Sequence, residues 1–156
     1  TTITRLSDLL SDLDPSNRNE YINNSQNLLA QTKSLSEGIG TLKDKKDVHY
    51  IATNNAQQLF MSQLGYKSDI SDVESASEID FKTLEKRFQD KKISFVLTAS
   101  QDQSQKDQRV VALARAAKIP IITFNQVLPS DQKIWQWQLT FVNQLRHALE
   151  PVESDK

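Results

Sequence analysis

Few side chains in this sequence are equipped for chemistry, and their types narrow what that chemistry could be. None of the 156 residues is a cysteine, which excludes disulfides, thiol nucleophiles and cysteine-ligated metals. His49 sits at the start of a β-prone run, five residues before Asn54, so it is expected at the far end of a strand from the following loop, as a surface or structural histidine. His147 lies beside Arg146 in the last helical pattern and reads as a surface residue. The acidic residues Asp69, Asp72, Glu74, Glu78 and Asp80 lack the central glycine and ligand spacing of an EF-hand, and are expected to form a solvated, Ser-rich loop. Trp135 and Trp137 could suggest a stacking platform for a sugar or nucleotide. Two residues apart on a helix they face different sides, so one core and one partly exposed tryptophan is the plainer expectation. There is no P-loop, no G-x-G-x-x-G and no G-x-S-x-G, and three glycines leave little material for a phosphate cradle. An enzyme is therefore not expected.

The positions that remain are set by the elements around them. Val48–Thr53, Ile93–Ala99 and Ile119–Phe124 are short apolar, β-prone runs, with a weaker strand within Tyr66–Val73. Amphipathic helical patterns separate them: one to about Leu64 capped by Asn54 or Asn55 and closed by Gly65, one around Phe81–Phe88, one around Val110–Ala117, and a last one capped by Ser130 and ended by Pro151. This alternation predicts an α/β fold: a three-layer lobe with a roughly four-stranded parallel sheet. Ligands in such folds bind beyond the carboxyl ends of the strands, which directs attention to the residues just after Thr53, Val96 and Phe124. Upstream, Ile3, Leu6, Leu9, Leu10 and Leu13 mark a short amphipathic helix ending near Asp14. A long linking helix follows, with Asp14 as cap, Pro15 at its first position and Tyr21, Leu28, Leu35, Ile39 and Leu42 on one stripe, expected to stop around Gly38–Gly40. Residues 1–46 thus form the two helices and residues 47–156 the α/β lobe.

This organisation resembles a known family. Asp14-Pro15, Asn17, Tyr21 and Asn24, opening a long helix ahead of an alternating α/β domain, are similar to the cluster A-I metal receptors, the solute-binding lipoproteins of zinc and manganese ABC importers. The resemblance implies a linking helix and C-terminal lobe, and it implies ligand positions. The family's "T-H-x-A" turn, whose histidine ligates metal, corresponds to Thr53-Asn54-Asn55-Ala56, with Asn54 in the ligand place. The glutamate closing its "F-V-E" strand corresponds to Leu97, after Phe95-Val96, with Asp102 five residues on as a stand-in. The aspartate after its "I-P-I" strand corresponds to Asn125, beyond Ile119-Pro120-Ile121. Asparagine carbonyls are poor zinc donors and leucine is none, so a decayed site is expected. Zinc or manganese would belong to an intact member and not to this chain, and Asn54→His, Leu97→Glu and Asn125→Asp together are expected to raise affinity.

Composition is compatible with this resemblance. Lys plus Arg number 19 and Asp plus Glu 20, giving a net charge of −1 and no basic field for nucleic acid or an anionic membrane surface. The Lys43–Lys46 and Lys91–Lys92 clusters read as solvated surface. No apolar run approaches the length of a membrane span. The sequence starts without Met inside a helical pattern, so an upstream signal or lipid anchor is expected. The resemblance implies a place on the extracellular face of the bacterial cytoplasmic membrane. It implies an ABC permease as partner and a missing N-terminal lobe whose absence would favour a homodimer. The alternative is an adhesin-like surface module that binds protein and no longer binds metal.

Overall fold

The computed structural model describes residues 1–70, 73–101 and 103–150. Its first helix, α1 (Thr2–Leu13), starts where the Thr1 hydroxyl accepts from the Thr4 amide at 3.3 Å. Its buried residues are Ser7 and Ser11, whereas Leu6, Leu9 and Leu13 stay 56%, 60% and 82% exposed. The small side chains are the buried ones, Leu6 and Leu10 line an open groove with Tyr21 and Leu28 of the next helix, and Leu9 and Leu13 stay exposed. Pro15–Asn17 form a 3-10 turn, and the long helix α2 (Arg18–Lys43) starts from Asn17 without a side-chain cap. The expected cap, Asp14, instead takes hydrogen bonds on its carboxylate from Asn17 Nδ2 (2.8 Å) and the Tyr21 hydroxyl (3.0 Å). These donors, Asn17 before Tyr21, hold the Asp14 carboxyl below the usual carboxylate range.

At 26 residues α2 is about 39 Å long. It runs through Gly38 and Gly40 instead of stopping there. The reason at Gly38 is tertiary: a Cβ would lie 2.7 Å from Cγ1 of Val142 on the last helix, so only glycine permits this approach.

Four strands follow, β1 (His49–Ala52), β2 (Lys67–Ser68), β3 (Phe95–Ala99) and β4 (Ile121–Phe124). All pairs are parallel and the order is β2-β1-β3-β4, with Ile51 opposite Val96 and Leu97 opposite Ile122. The fold is thus the expected α/β lobe behind a long helix. The helices between the strands are α3 (Gln58–Leu64), α4 (Glu78–Gln89) and α5 (Gln105–Ala116), and α6 (Ile134–Ala148) closes the described chain. Gly65 ends α3 in the left-handed conformation (φ 78°), as its position predicts. Ser77 with Asp80, and Ser104 with Asp107, form capping boxes at the starts of α4 and α5. Neither expected asparagine caps α3, and α6 starts at Lys133, not Ser130, with the Lys133 amide donating to Gln136 Oε1 at 3.0 Å. The acidic stretch is not one solvated loop, because Asp80 belongs to a helix cap and Asp69 is ion-paired; Asp72 and Pro151 lie outside the described residues.

Alternation along the strands divides the core in two. Tyr50, Phe95, Leu97 and Phe124 pack with Leu42, Met61, Tyr66, Val142 and Leu145 under α2, α3 and α6. Ile51 and Val96 pack on the other face with Phe81, Leu84, Phe88, Val110 and Ala114 of α4 and α5.

Candidate metal site

Three loops leave the carboxyl ends of β1, β3 and β4, and their side chains bond to one another. The Thr53 hydroxyl, buried at the end of β1, donates to the Thr98 hydroxyl of β3 at 3.3 Å. Gln103 Nε2 reaches back from the β3 loop to the Thr98 hydroxyl (3.2 Å) and the Ala99 carbonyl (2.9 Å). The Ser100 hydroxyl donates to Asn125 Oδ1 at 2.7 Å, tying the β3 loop to the β4 loop. Asn54 Oδ1 accepts from the Ala56 amide at 3.0 Å, an Asx-type turn that shapes the start of the β1 loop. The two amide oxygens expected at ligand positions each accept a hydrogen bond, from Ala56 and Ser100.

Leu97 needs a correction. The strand does not close at Leu97; it continues through Thr98 to Ala99, and Leu97 is 0% exposed in the core beneath α2 and α6. The residue that β3 presents at its rim is Ser100. The apolar run Ile93–Ala99 ends where β3 ends, whereas the strand end implied by the resemblance falls two residues short, since Thr98 and Ala99 still pair with Thr123 and Phe124. A glutamate at position 97 would sit in hydrocarbon, so Leu97→Glu does not rebuild a ligand. Asp102 lies outside the described residues. Asn54 and Asn125 lie on separate loops, and no described hydrogen bond joins them. Among the described residues no group of three or more His, Asp or Glu side chains could hold a metal ion.

One carboxylate at this end escaped the sequence reading. Asp107, 8% exposed, accepts from the Ser104 amide at 3.0 Å through Oδ2, while its Oδ1 is buried without a partner among the described residues. The Ser-x-x-Asp spacing of a capping box was the available signal. Its negative charge suits the first turn of α5, a structural duty.

The histidines lie elsewhere. His49 opens β1, with Nδ1 2.9 Å from Asp69 Oδ1, and Arg87 Nη2 is 2.8 Å from Asp69 Oδ2. His147 is exposed on α6, 3.2 Å from Glu150. Neither tryptophan belongs to the buried core, contrary to expectation. Trp135 carries Lys133 Nζ 5.3 Å from its ring centre, and Trp137 lines a cavity of about 370 Å³ between α2, α3 and α6.

No family model matches the sequence, and no curated protein matches it. Solved structures do match. The laminin-binding protein Lmb of Streptococcus agalactiae, described as bifunctional with adhesin and metal-transporting activity, is 13% identical over 92% of this chain and 58% of its own, with a TM-score of 0.58. A zinc-bound AdcAII variant of Streptococcus pneumoniae is 15% identical over 95% of this chain and 56% of its own (TM-score 0.57). A metal-free periplasmic metal-binding protein from Candidatus Liberibacter asiaticus is 14% identical over 95% and 58% (TM-score 0.56). This chain spans little more than half the length of these proteins. All three are binding or transport proteins, and no described helix here is long and apolar enough to cross a membrane. At these identities the likeness is one of fold: this chain folds like somewhat more than half of each of these proteins.

Proposed function

We propose that this chain is the C-terminal lobe and linking helix of the solute-binding component of a zinc or manganese ABC uptake system, in a paralogue whose metal site has decayed. Residues 1–46 supply the two helices and residues 47–156 the lobe. The observation that carries the second half of this reading is the occupied rim: Asn54 and Asn125 stand where donors are expected, and each amide oxygen already accepts a bond from Ala56 or Ser100. A cation would share each oxygen with that donor and would gain only neutral carbonyls with no compensating charge. The neighbours' fold and their described metal binding support the first half. On this reading the protein works at the extracellular face of the cytoplasmic membrane, lipid-anchored through a segment upstream, beside an ABC permease.

The exposed leucines of α1 would be covered by an N-terminal lobe, since the neighbours are nearly twice as long as the matched region. In the isolated chain the same ridge is expected to give a modest homodimer, which sedimentation at rising concentration would detect and Leu9→Gln with Leu13→Gln would abolish. The ridge also favours the alternative of an adhesin-like module, in which a protein partner takes that place.

Zinc and manganese calorimetry tests the decayed site. No saturable binding in the micromolar range is expected of this chain, and sub-micromolar zinc affinity would overturn the reading. Asn54→His, Ser100→Glu and Asn125→Asp together, with Leu97 left in the core, should raise zinc affinity if these loops still frame a site.

A further inference from the structure

The cavity beside Trp137 is the feature that neither the metal reading nor the packing absorbs. Its apolar wall is built by Leu35 and Ile39 of α2, Phe60 of α3, Phe124 at the end of β4, and Phe141 and Val142 of α6. Phe60 and Phe124 both pack tilted against Phe141, with ring centres 5.8 and 6.2 Å away. The polar part consists of three carboxamides, Gln57, Gln63 and Gln138, and the Trp137 indole. None of the described hydrogen bonds engages these three glutamine side chains, so their donors and acceptors are available to a guest. Among the described residues no charged side chain lines the space.

The position is also telling. Gln57 belongs to the loop leaving β1 and Phe124 is the last residue of β4, so the cavity opens at the carboxyl ends of the strands, where parallel sheets bind ligands. Its origin lies in the helix packing. Gly38 brings α2 against Val142, and beside that contact Leu35 and Ile39 stand over Phe141 and Gln138 with the intervening space left open. About 370 Å³ is at the lower end of the range for small-molecule sites, with room for roughly ten to twenty non-hydrogen atoms.

We infer that this cavity binds an uncharged amphipathic small molecule, with a ring-sized apolar body and one or two hydroxyl or carbonyl groups. Charge complementarity selects the class. An ion would be desolvated against phenylalanine and leucine with no counter-charge, whereas a neutral guest gains the aromatic wall and pairs with the carboxamides. The inference extends the solute-binding reading to another class of solute and stands on the cavity alone. Zinc calorimetry reports on the one and the following experiment on the other.

The probe is N-phenyl-1-naphthylamine, a neutral fluorescent aromatic amine, titrated into the whole chain carrying Trp135→Phe so that Trp137 is the sole tryptophan. Saturable one-site binding that quenches Trp137 is expected, with the anionic anilinonaphthalene sulfonate binding at least about tenfold more weakly. Gln138→Glu, at an exposed position on the cavity wall, should weaken the probe about tenfold or more. Gln144→Glu on the same helix, and Leu6→Gln with Leu13→Gln on α1, should leave binding unchanged. Gln63→Glu serves as the second wall variant should circular dichroism show that Gln138→Glu misfolds. Unsaturable binding, binding that survives both wall variants, binding lost with the α1 leucines, or equal affinity for the anionic dye would each overturn the proposal.

Discussion

The two ends of the β-sheet are built from different chemistry. Beside the start of β1, His49, Asp69 and Arg87 form a charged cluster around a carboxylate only 8% exposed, and nearby the Tyr66 hydroxyl donates to the Leu42 carbonyl at the end of α2 (2.8 Å). At the carboxyl end the loops meet through hydroxyls and carboxamides of Thr53, Thr98, Ser100, Gln103 and Asn125. At the charged end an ion pair thus ties the sheet to α4 and a neutral hydrogen bond ties it to α2, whereas the described contacts joining the loops at the end where parallel sheets bind ligands are neutral.

The comparison breaks most sharply at Leu97. If the rim were the family's metal frame, Leu97→Glu would be tolerated and would help to bind zinc. Core burial predicts a loss of about 4 kcal/mol or outright unfolding, measured by urea denaturation, with no gain in zinc affinity. Next in size is Asp69→Ala, which strands Arg87 and His49 at the charged end. A loss of about 2–3 kcal/mol is expected in the same measurement, and a loss below 0.5 kcal/mol would remove the contrast between the two ends.

A pH experiment sharpens the same contrast. Burial pushes the Tyr66 phenol up to about 12 from its ordinary value of 10.0. The folded protein therefore holds this proton more tightly than the unfolded chain. The stabilisation is complete below pH 10 and is lost as pH rises from 10 towards 12. Tyr66→Phe should lower stability at neutral pH by about 1 kcal/mol through the lost hydrogen bond, and flatten that alkaline decline. The smallest effect belongs to the rim: Ser100→Ala, at an exposed position, should change the denaturation midpoint by no more than about 0.5 kcal/mol.

Much of this architecture was legible in the residues. The apolar runs around Ile51, Val96 and Ile122 could only be buried strands, and Gly65 after Leu64 could only end a helix cleanly. What failed were boundaries and faces decided by distant contacts. Gly38 reads locally as a helix breaker, yet the approach of Val142 makes glycine the residue that lets α2 continue. The leucines of α1 mark an amphipathic helix, yet Leu6, Leu9 and Leu13 stay exposed and Ser7 and Ser11 are the residues buried. The resemblance puts a strand end at Leu97, although the apolar run itself extends to Ala99, where the pairing with Phe124 stops. That Asn54 and Asn125 follow β1 and β4 could be read from the residues, whereas the hydrogen bonds their oxygens accept could not. The cavity was invisible because its lining comes from three helices and a strand end, and only their relative placement creates the gap.

The contact between Gly38 and Val142 also bears on how the chain acquires its structure. It joins positions about a hundred residues apart, so α2 cannot complete its packing until α6, made well after it, has emerged. During that interval Leu35, Ile39 and Leu42 lack their α6 partners and are open to misassembly with other nascent chains. A ribosome-bound chain truncated before residue 134 should accordingly depend on chaperone protection that the finished chain no longer needs, and the closing event of folding should be the docking of α6.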